Sequence, residues 1–575
     1  MRKITFLLAF MATTMLTMAQ MSGTYTVGSG STYASLGAAA TDLNTLGVSG
    51  NVLLEITSDL SETSAVKILV PTMGTNTITI KPAATVSPTI TYSGCVATAG
   101  STQYTGFAVD NTNNVIIDGS NTVDGTTKDL TFKMNDATNG RNIIQLFGNC
   151  DNATIKNLNI VYQSPMSTAN TTRGIYLNGQ STGACDNFTV QNCKIGDATL
   201  TPYYAVGATG SSGSLIYCTN LNIKDNNVYG RIRPLYMFYV GTSGTTTNVT
   251  GNTIYTYGGA NGTTTYTIFW NTWGGTINIK NNKIPVLTVA NTSGTSGVYG
   301  ISGLTSAVGS VVNMSNNFVG GINTSSGVAV PGVFSLMYIQ DNATYNVYNN
   351  TFYYQSLTNA GEKSNIHISG TSCVVNLKNN IIVNKADAAN AYCIWKSNGT
   401  LTSDYNDLYV SGALANIGYL TSARKTLGDW QIAFTPNNDL NSKSANVNFV
   451  DVATGDLRLT GDSEHDDHLA VPIMTEEVPL DMFGASRTSP YTYAGAHQAA
   501  MPFYWTAIST PEVSARILRT YTGVQVELES EATVEIYTIN GVKIDKVITS
   551  GIYSRDLNNG VYIIRINGKA TKFIK

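Results

Sequence analysis

Three cations crowd into the ten residues from Lys224 to Arg233, Lys-Asp-Asn-Asn-Val-Tyr-Gly-Arg-Ile-Arg. Lys224, Arg231 and Arg233 suit an acidic ligand, because a planar guanidinium can grip a carboxylate through two parallel hydrogen bonds. Asp225, among them, offers a carboxylate to a metal ion. A second cluster, Asp462–His468, holds Asp462, Glu464 and Asp466 together with two of the four histidines. Its oxygen and imidazole donors suit Ca²⁺ or Zn²⁺. It lacks the spacing of an EF-hand or an HExxH helix, which favours a solvated surface loop. His367 stands alone between two isoleucines and reads as one outward strand residue. Aromatic residues Tyr176, Phe269, Trp270, Trp273, Tyr338 and Trp395 recur in one apolar strand of several repeats. Facing inward they pack a core. Facing outward, Trp270, Trp273 and Tyr338 make a platform on which sugar rings stack.

The element that must position these groups is a repeat. A seven-residue phrase alternates polar and apolar residues, breaks at Asn, and resumes apolar, as in TIKNLNI at Thr154–Ile160 and NIKNNKI at Asn278–Ile284. Other copies lie at Thr189–Ile195, Asn222–Val228, Asn248–Ile254, Asn313–Val319, Asn346–Phe352 and Asn376–Ile382, with a fading one at Ser403–Tyr409. Successive copies are 35, 33, 26, 30, 35, 33 and 30 residues apart. A period of that size with variable insertions marks stacked coils. Alternation with period two makes each phrase a half-buried strand, and no helical periodicity competes, so the chain reads as a parallel β-solenoid. The fourth column, Asn157, Asn192, Asp225, Gly251, Asn281, Asn316, Asn349 and Asn379, holds residues that tolerate a left-handed backbone. It predicts a one-residue bend, with amides hydrogen-bonding along the stack. Lys224 then falls in the column Lys156, Gln191, Lys224, Thr250, Lys280, Ser315, Tyr348 and Lys378, an ordinary outward position.

Cys150, Cys185 and Cys218 are spaced 35 and 33 residues apart, in step with the phrase, and the column continues as Gly244, Gly274, Gly309, Asn342 and Ser372. Seven cysteines, an odd number, predict a ladder of buried thiols, with a disulfide between neighbouring coils as the alternative. No Cys-x-x-Cys or Cys/His spacing suggests a metal. Thr32–Leu46 has helical spacing of Leu36, Ala39, Leu43 and Leu46, with Ser31 or Thr32 as N-cap. Before the strand-like Asn51–Thr57, such a helix would plug the open end of the solenoid, which otherwise exposes core and strand edges.

The chain has 575 residues, room for a large core and an appended domain, and only 12% are charged, for a net charge of −3. Nothing in that balance suggests nucleic-acid binding. From Ile284 to Gln340 no side chain is charged, which limits where acid–base chemistry could be done. Residues 1–19 read as a secretory signal peptide: Arg2 and Lys3, an apolar run, then Thr17-Met18-Ala19 before Gln20. No other segment is long and apolar enough to span a bilayer.

Repeat, helix and closing text together resemble the right-handed parallel β-helix proteins of the pectate-lyase-like superfamily, in a form common in secreted proteins of Bacteroidetes. The resemblance runs from about Gly23 to Gln498. Its last part includes Leu427–Gln431, Asn448–Leu459 and an Asp-x-x-Gly-x-x-Arg segment with a Gly-Ala pair, matched at Asp481, Gly484, Arg487, Gly495 and Ala496. Residues 20–498 are therefore expected to form an all-β, right-handed parallel β-helix with an N-terminal capping helix. Residues 499–515 would be a linker, and 516–575 a small C-terminal β-sandwich. That last piece, with Gly541, Gly560-Val561-Tyr562 and the Lys572–Lys575 strand, resembles the sorting domain of type IX secretion cargo, although the usual Pro-Asn-Pro is absent from Ser509–Glu527. The resemblance implies translocation by the type IX secretion machinery and display at the outer-membrane surface. In lyases of this superfamily a Lys or Arg base takes a uronic-acid proton beside Ca²⁺ or cations, which would give Lys224, Arg231 and Arg233 catalytic roles. No lyase motif or glycosidase acid pair accompanies them. The leading expectation is thus a non-catalytic, adhesin-like protein that binds polysaccharide or surface glycan and has no required cofactor, with Ca²⁺ as an option. The alternative is a polysaccharide lyase or other carbohydrate-active enzyme acting on an acidic glycan.

Overall fold

A computed structural model describes residues 19–97, 104–136, 141–163, 172–258, 264–285, 287–289, 297–324, 333–355, 361–434, 438–474, 476–488, 490–500 and 515–575. The signal-peptide segment and the linker at 499–515 lie almost wholly outside those residues. Each coil supplies one short strand to each of three long parallel sheets. The first sheet has 13 strands, from Met21–Val27 to Thr400–Asp404. The second runs from Leu60–Glu62 to Asp407–Val410. The third runs from Val66–Ile68 to an antiparallel closing strand at Ser422–Arg424. The fold is the expected right-handed parallel β-helix. Its interior is one continuous apolar cluster, from Met21 at one end to Trp430 at the other.

The capping helix is shorter than expected, Leu36–Leu46, and its N-cap is Ser35, whose hydroxyl accepts from the Ala38 amide at 3.1 Å. The Glu62 carboxylate, from the second sheet, accepts the Leu36 amide at 2.7 Å, so the exposed helix dipole meets an anion. Leu36, Ala39, Ala40 and Leu43 are buried and close the first coil.

The left-handed column is present: φ is +58° at Asn157, +57° at Asp225, +56° at Asn281 and at Asn316, and +59° at Asn379. Two continuous amide ladders flank that column: an outer one from Asn222 to Asn376, three residues earlier, and a buried one, one residue later than expected. Asn226, Asn252, Asn282, Asn317, Asn350, Asn380 and Asn406 are buried, and the side-chain oxygen of each of the last six accepts both the backbone N–H and the side-chain amide of the Asn in the coil before it. The reason is local geometry. A residue at positive φ turns the chain so that the next side chain is drawn beneath the backbone, while its own leaves the core. Asp225 and Asn281 are accordingly exposed. Further along, the same outward column serves as a landing strip. Asn316, Asn349 and Asn379 donate to the carbonyls of Leu480, Tyr493 and Pro472, which straps the closing segment to the solenoid.

The Lys224 column is also in register across the first sheet, from Lys156 to Lys378, as expected. Cys150, Cys185 and Cys218 are buried free thiols, as are Cys95, Cys193, Cys373 and Cys393. After Cys218 their column departs from expectation. It pairs with Val240, which pairs with Trp273, not with the glycines of the loops that follow.

The closing segment contains the helix Leu427–Gln431, begun by a reciprocal Thr426–Asp429 capping box. Its Trp430 is buried and donates its indole N–H to Asp439. Asp481 accepts from the amides of Phe483, Ala485 and Gln498. The guanidinium of Arg487, buried among carbonyls, donates to Tyr493, Gly495 and the Asn316 side chain. These residues tie the closing segment together. Residues Ala515–Ile574 form a five-stranded antiparallel unit with a core of its own. Its long strand Gly523–Thr538 breaks register between Leu528 and Ala532, and its two halves pair with different neighbours around that core.

Asp407 gives a pH prediction. It is 1% exposed, Oδ1 accepts the Ala445 amide at 2.6 Å, and Oδ2 has no hydrogen-bond donor. Burial raises its pKa well above the ordinary carboxylate value of 3.8. The folded state therefore holds this proton to higher pH than the unfolded chain does. The contribution is fully present below about 3.8 and is lost as pH climbs through the raised value. Asp407→Asn should flatten that decline and raise the melting temperature at neutral pH relative to the parent, measured by thermal unfolding from pH 4 to 8.

Candidate functional site

In the third sheet, most strands carry an apolar-x-apolar triplet whose middle residue must point away from the core. The triplets include Ile175-Tyr176-Leu177, Leu235-Tyr236-Met237, Met337-Tyr338-Ile339 and Ile366-His367-Ile368. The pairing register stacks the middle residues into one column: Tyr176, Gly207, Tyr236, Phe269, Ser302, Tyr338, His367, Trp395 and Tyr419. Beside it runs a second column, in which Arg173 pairs with Tyr204 and Tyr266 pairs with Tyr299. Where the first column narrows at Gly207 and Ser302, tyrosines of the second close the gap. Tyr204 stacks on Tyr236 at 4.6 Å between ring centroids, and Tyr299 lies 4.6 Å from Tyr338. The series continues with Tyr338–His367 at 4.7 Å, His367–Trp395 at 5.5 Å and Trp395–Tyr419 at 4.3 Å. Tyr266, Phe269 and Tyr299 form an apolar cluster separate from the interior of the solenoid.

Arginines lie over these rings. Arg173 is 4.1 Å from the centroid of Tyr176, and Arg233 is 5.0 Å from Phe269, 5.2 Å from Tyr266 and 5.3 Å from Tyr236. Arg231 covers Tyr203 at 5.5 Å. Each such contact contributes about 0.5–2 kcal/mol, more where water is excluded. Burial pushes the Tyr204 phenol up to about 12 and raises those of Tyr236 and Tyr266, so these phenols stay neutral beside the cations. The result is a ridge of rings and guanidinium groups outside the solenoid interior, repeating at the strand spacing of about 4.8 Å. Tyr176, Tyr204, Tyr266, Phe269, Tyr299 and Arg173 are buried within it, and Tyr236, Tyr338, Trp395, Tyr419 and Arg233 are half-buried.

Several expected site residues fall elsewhere. Trp270 and Trp273 are 0% and 1% exposed and belong to the interior, so neither can serve as an external platform. Alternation places Phe269 outward and hence Trp270 inward, and the left-handed Thr272 (φ +49°) brings Trp273 inward as well. There the Trp273 indole donates to Asp341 at 2.8 Å, beside the Tyr345 hydroxyl. Tyr338 does face outward and is half-buried. The three cations do not form one group. Lys224 ends a first-sheet strand, the chain then passes through Asn227–Gly230 in the second sheet, and Arg231 and Arg233 lead into Leu235–Val240 of the third. Ten residues of sequence here cross three faces.

At the acidic loop, Asp466, Asp467 and His468 converge, so of Asp462, Glu464 and Asp466 only Asp466 joins the group. His468 Nδ1 lies 2.8 Å from Asp466, and Glu464 uses its backbone carbonyl to accept the Tyr493 hydroxyl. These are exposed or half-exposed groups that partner one another. A second concavity, of about 310 Å³, lies on the first sheet, where Lys280 and Tyr348 face Glu476 and Glu477 of the closing segment. Its two carboxylates disfavour an acidic ligand. Among the described residues no helix is long and apolar enough to cross a membrane.

No protein-family model matches the chain, and no curated protein matches it in sequence. Among solved structures it is similar to PfbA, a surface adhesin of Streptococcus pneumoniae, at 13% identity and a TM-score of 0.35, over 64% of this chain and 81% of that one. It is also similar to the pectin methylesterase from Aspergillus niger at 12% identity and a TM-score of 0.23, over 72% of this chain and 94% of that one. Likeness at this distance transfers no ligand or activity.

Proposed function

We propose that this chain is an exported, surface-displayed β-helix that binds polysaccharide along its third sheet, with preference for an acidic glycan. The observation that carries the reading is the ring column outside the solenoid interior, where half-buried Arg233 lies beside half-buried Tyr236 and the series ends in half-buried Tyr338, Trp395 and Tyr419. Pyranose rings present flat C–H faces that pack on aromatic rings, while guanidinium groups pair with uronate or sulfate. The backbone beneath is a rigid parallel ladder, which lowers the ordering cost of binding. Export rests on the leader-like residues 1–19 and on the resemblance of residues 516–575 to a type IX sorting domain, and the binding mode requires no cofactor. A lyase acting through Lys224 is disfavoured, because the cation cluster that suggested it is divided between the first sheet and the approach to the third.

Arg233→Ala should weaken binding to an acidic polysaccharide by about tenfold, as expected for one partly desolvated cation contact. It should leave a neutral one unchanged, and the acidic interaction should fade with salt. Glycan arrays and titrations on the full chain test this, and no binding to any polysaccharide would refute the reading. Ultraviolet absorbance of unsaturated uronic products, formed by the parent and abolished in Arg233→Ala, would instead establish a lyase. Deleting residues 516–575 should strand the protein in the periplasm. Unchanged surface display would refute the sorting role.

A further inference from the structure

His367 interrupts the aromatic column and is its one imidazole. It is 7% exposed, held between Tyr338 and Trp395. On one side, Nδ1 lies 2.9 Å from Glu362 Oε1, although not in line with it. Glu362 is itself fixed by the Ser364 hydroxyl, which donates to it at 2.9 Å. On the other side, Nε2 lies 3.2 Å from the Oγ of Ser397. Ser397 sits in the exposed turn that follows Ala391–Lys396, and its amide donates to the Ile368 carbonyl at 2.9 Å, which anchors the turn against the strand that carries His367. The Trp395 indole N–H points at the same Oγ from 2.8 Å. A hydroxyl, an imidazole and a carboxylate thus lie in series, with the hydroxyl open to solvent. That is the arrangement in which a base activates a nucleophile and a third group orients the base.

We propose that Ser397, His367 and Glu362 form a nucleophilic relay that hydrolyses ester substituents on the saccharide lying along the ring face. The proposal rests on that face being the binding surface and adds a reaction to it. Ser397 Oγ bonds to the acyl carbon while its proton passes to His367 Nε2. The carbon–oxygen bond to the sugar then breaks, and the sugar oxygen leaves with that proton as an alcohol. Water next adds to the acyl-serine, giving its proton to Nε2, and Oγ departs with that proton as the carboxylic acid is released. Glu362 stabilises the transient imidazolium. The Trp395 N–H, 2.8 Å from Oγ, holds the serine oxygen in place beside Nε2.

The test uses the full chain with 4-nitrophenyl acetate and with acetylated xylan, reading nitrophenol and acetate release. Ser397→Ala and His367→Asn should each lower the rate by about a hundredfold or more. Glu362→Gln should lower it less and displace the acid limb of the pH profile. Ser372→Ala, at an exposed serine in the preceding coil, should change nothing. A fluorophosphonate probe should add its mass to the peptide containing Ser397 in the parent and not in His367→Asn. Hydrolysis no faster than that of Ser397→Ala, or labelling anywhere but Ser397, overturns the proposal. Acetylated xylan bound but left intact overturns the relay alone. Hydrolysis of 4-nitrophenyl acetate without binding to any polysaccharide supports the relay and overturns the binding face.

Discussion

Asn350→Ala is expected to destabilise the central coils by about 3–5 kcal/mol, several times the worth of one hydrogen bond. Asn350 is fully buried, and its Nδ2 donates to the carbonyls of Met314 and Tyr348 and to Asn380 Oδ1, each at 3.1 Å. Its Oδ1 accepts from Asn317 twice, from the backbone N–H at 3.0 Å and from Nδ2 at 2.8 Å. Truncation removes these bonds together and leaves the Asn317 backbone N–H buried without its partner, while Asn317 Nδ2 keeps only the carbonyls of Ile279 and Ser315. In a stack whose coils touch only their neighbours, the loss should be local. Hydrogen exchange should quicken in the coils around Asn317, Asn350 and Asn380 before it quickens near the capping helix. Asn281→Ala tests the adjacent column. That residue is exposed at φ +56°, so the loss is limited to left-handed strain of about 1 kcal/mol. Equal effects from the two substitutions in urea unfolding would show that the buried ladder contributes nothing special.

The contrast between those two asparagines also shows how far the sequence is readable. The left-handed column was legible because few residue types accept positive φ, and Asn157 through Asn379 repeat at that position. Which of two adjacent asparagines turns inward depends on the rotation that the left-handed residue imposes, and composition does not carry that information. The ring face was legible only in part. Tyr176, Phe269, Trp270, Trp273, Tyr338 and Trp395 recur as aromatics of one strand, but inward and outward positions are separated by strand register, and Thr272 alters it within one strand. The apolar-x-apolar triplets carry the missing signal, since they set Tyr236 and His367 in one column with Tyr176, Tyr338 and Trp395. Loops of unequal length between the second and third sheets hide that alignment. They also hide that His367, solitary in sequence, faces Ser397 of the next coil and Glu362 of its own. Proximity misled in the opposite sense at Lys224, because a β-helix sends residues a few positions apart onto different faces and brings residues about thirty apart into contact.

Tyr338→Ala combined with Trp395→Ala should reduce polysaccharide binding by about a hundredfold or more. Each ring supplies burial of apolar area and stacking worth roughly 1–2 kcal/mol against a pyranose face. The two flank His367 in adjacent coils, so one glycan chain crossing them would lose consecutive contacts. The deficit should persist at high salt, whereas that of Arg233→Ala should shrink, because screening weakens charge pairing and leaves ring packing untouched. Stability should change little, since both side chains lie outside the solenoid interior. Trp273→Phe should show the reverse. It removes the indole donor 2.8 Å from buried Asp341, whose pKa burial already raises, at a cost of about 2 kcal/mol in stability with binding preserved. Calorimetric titration at two ionic strengths, paired with thermal unfolding, separates these outcomes. If the outward pair binds within threefold of the parent while the inward tryptophan abolishes binding, the ligand does not lie on the third sheet, and the ring column is a second packing layer instead of a recognition surface.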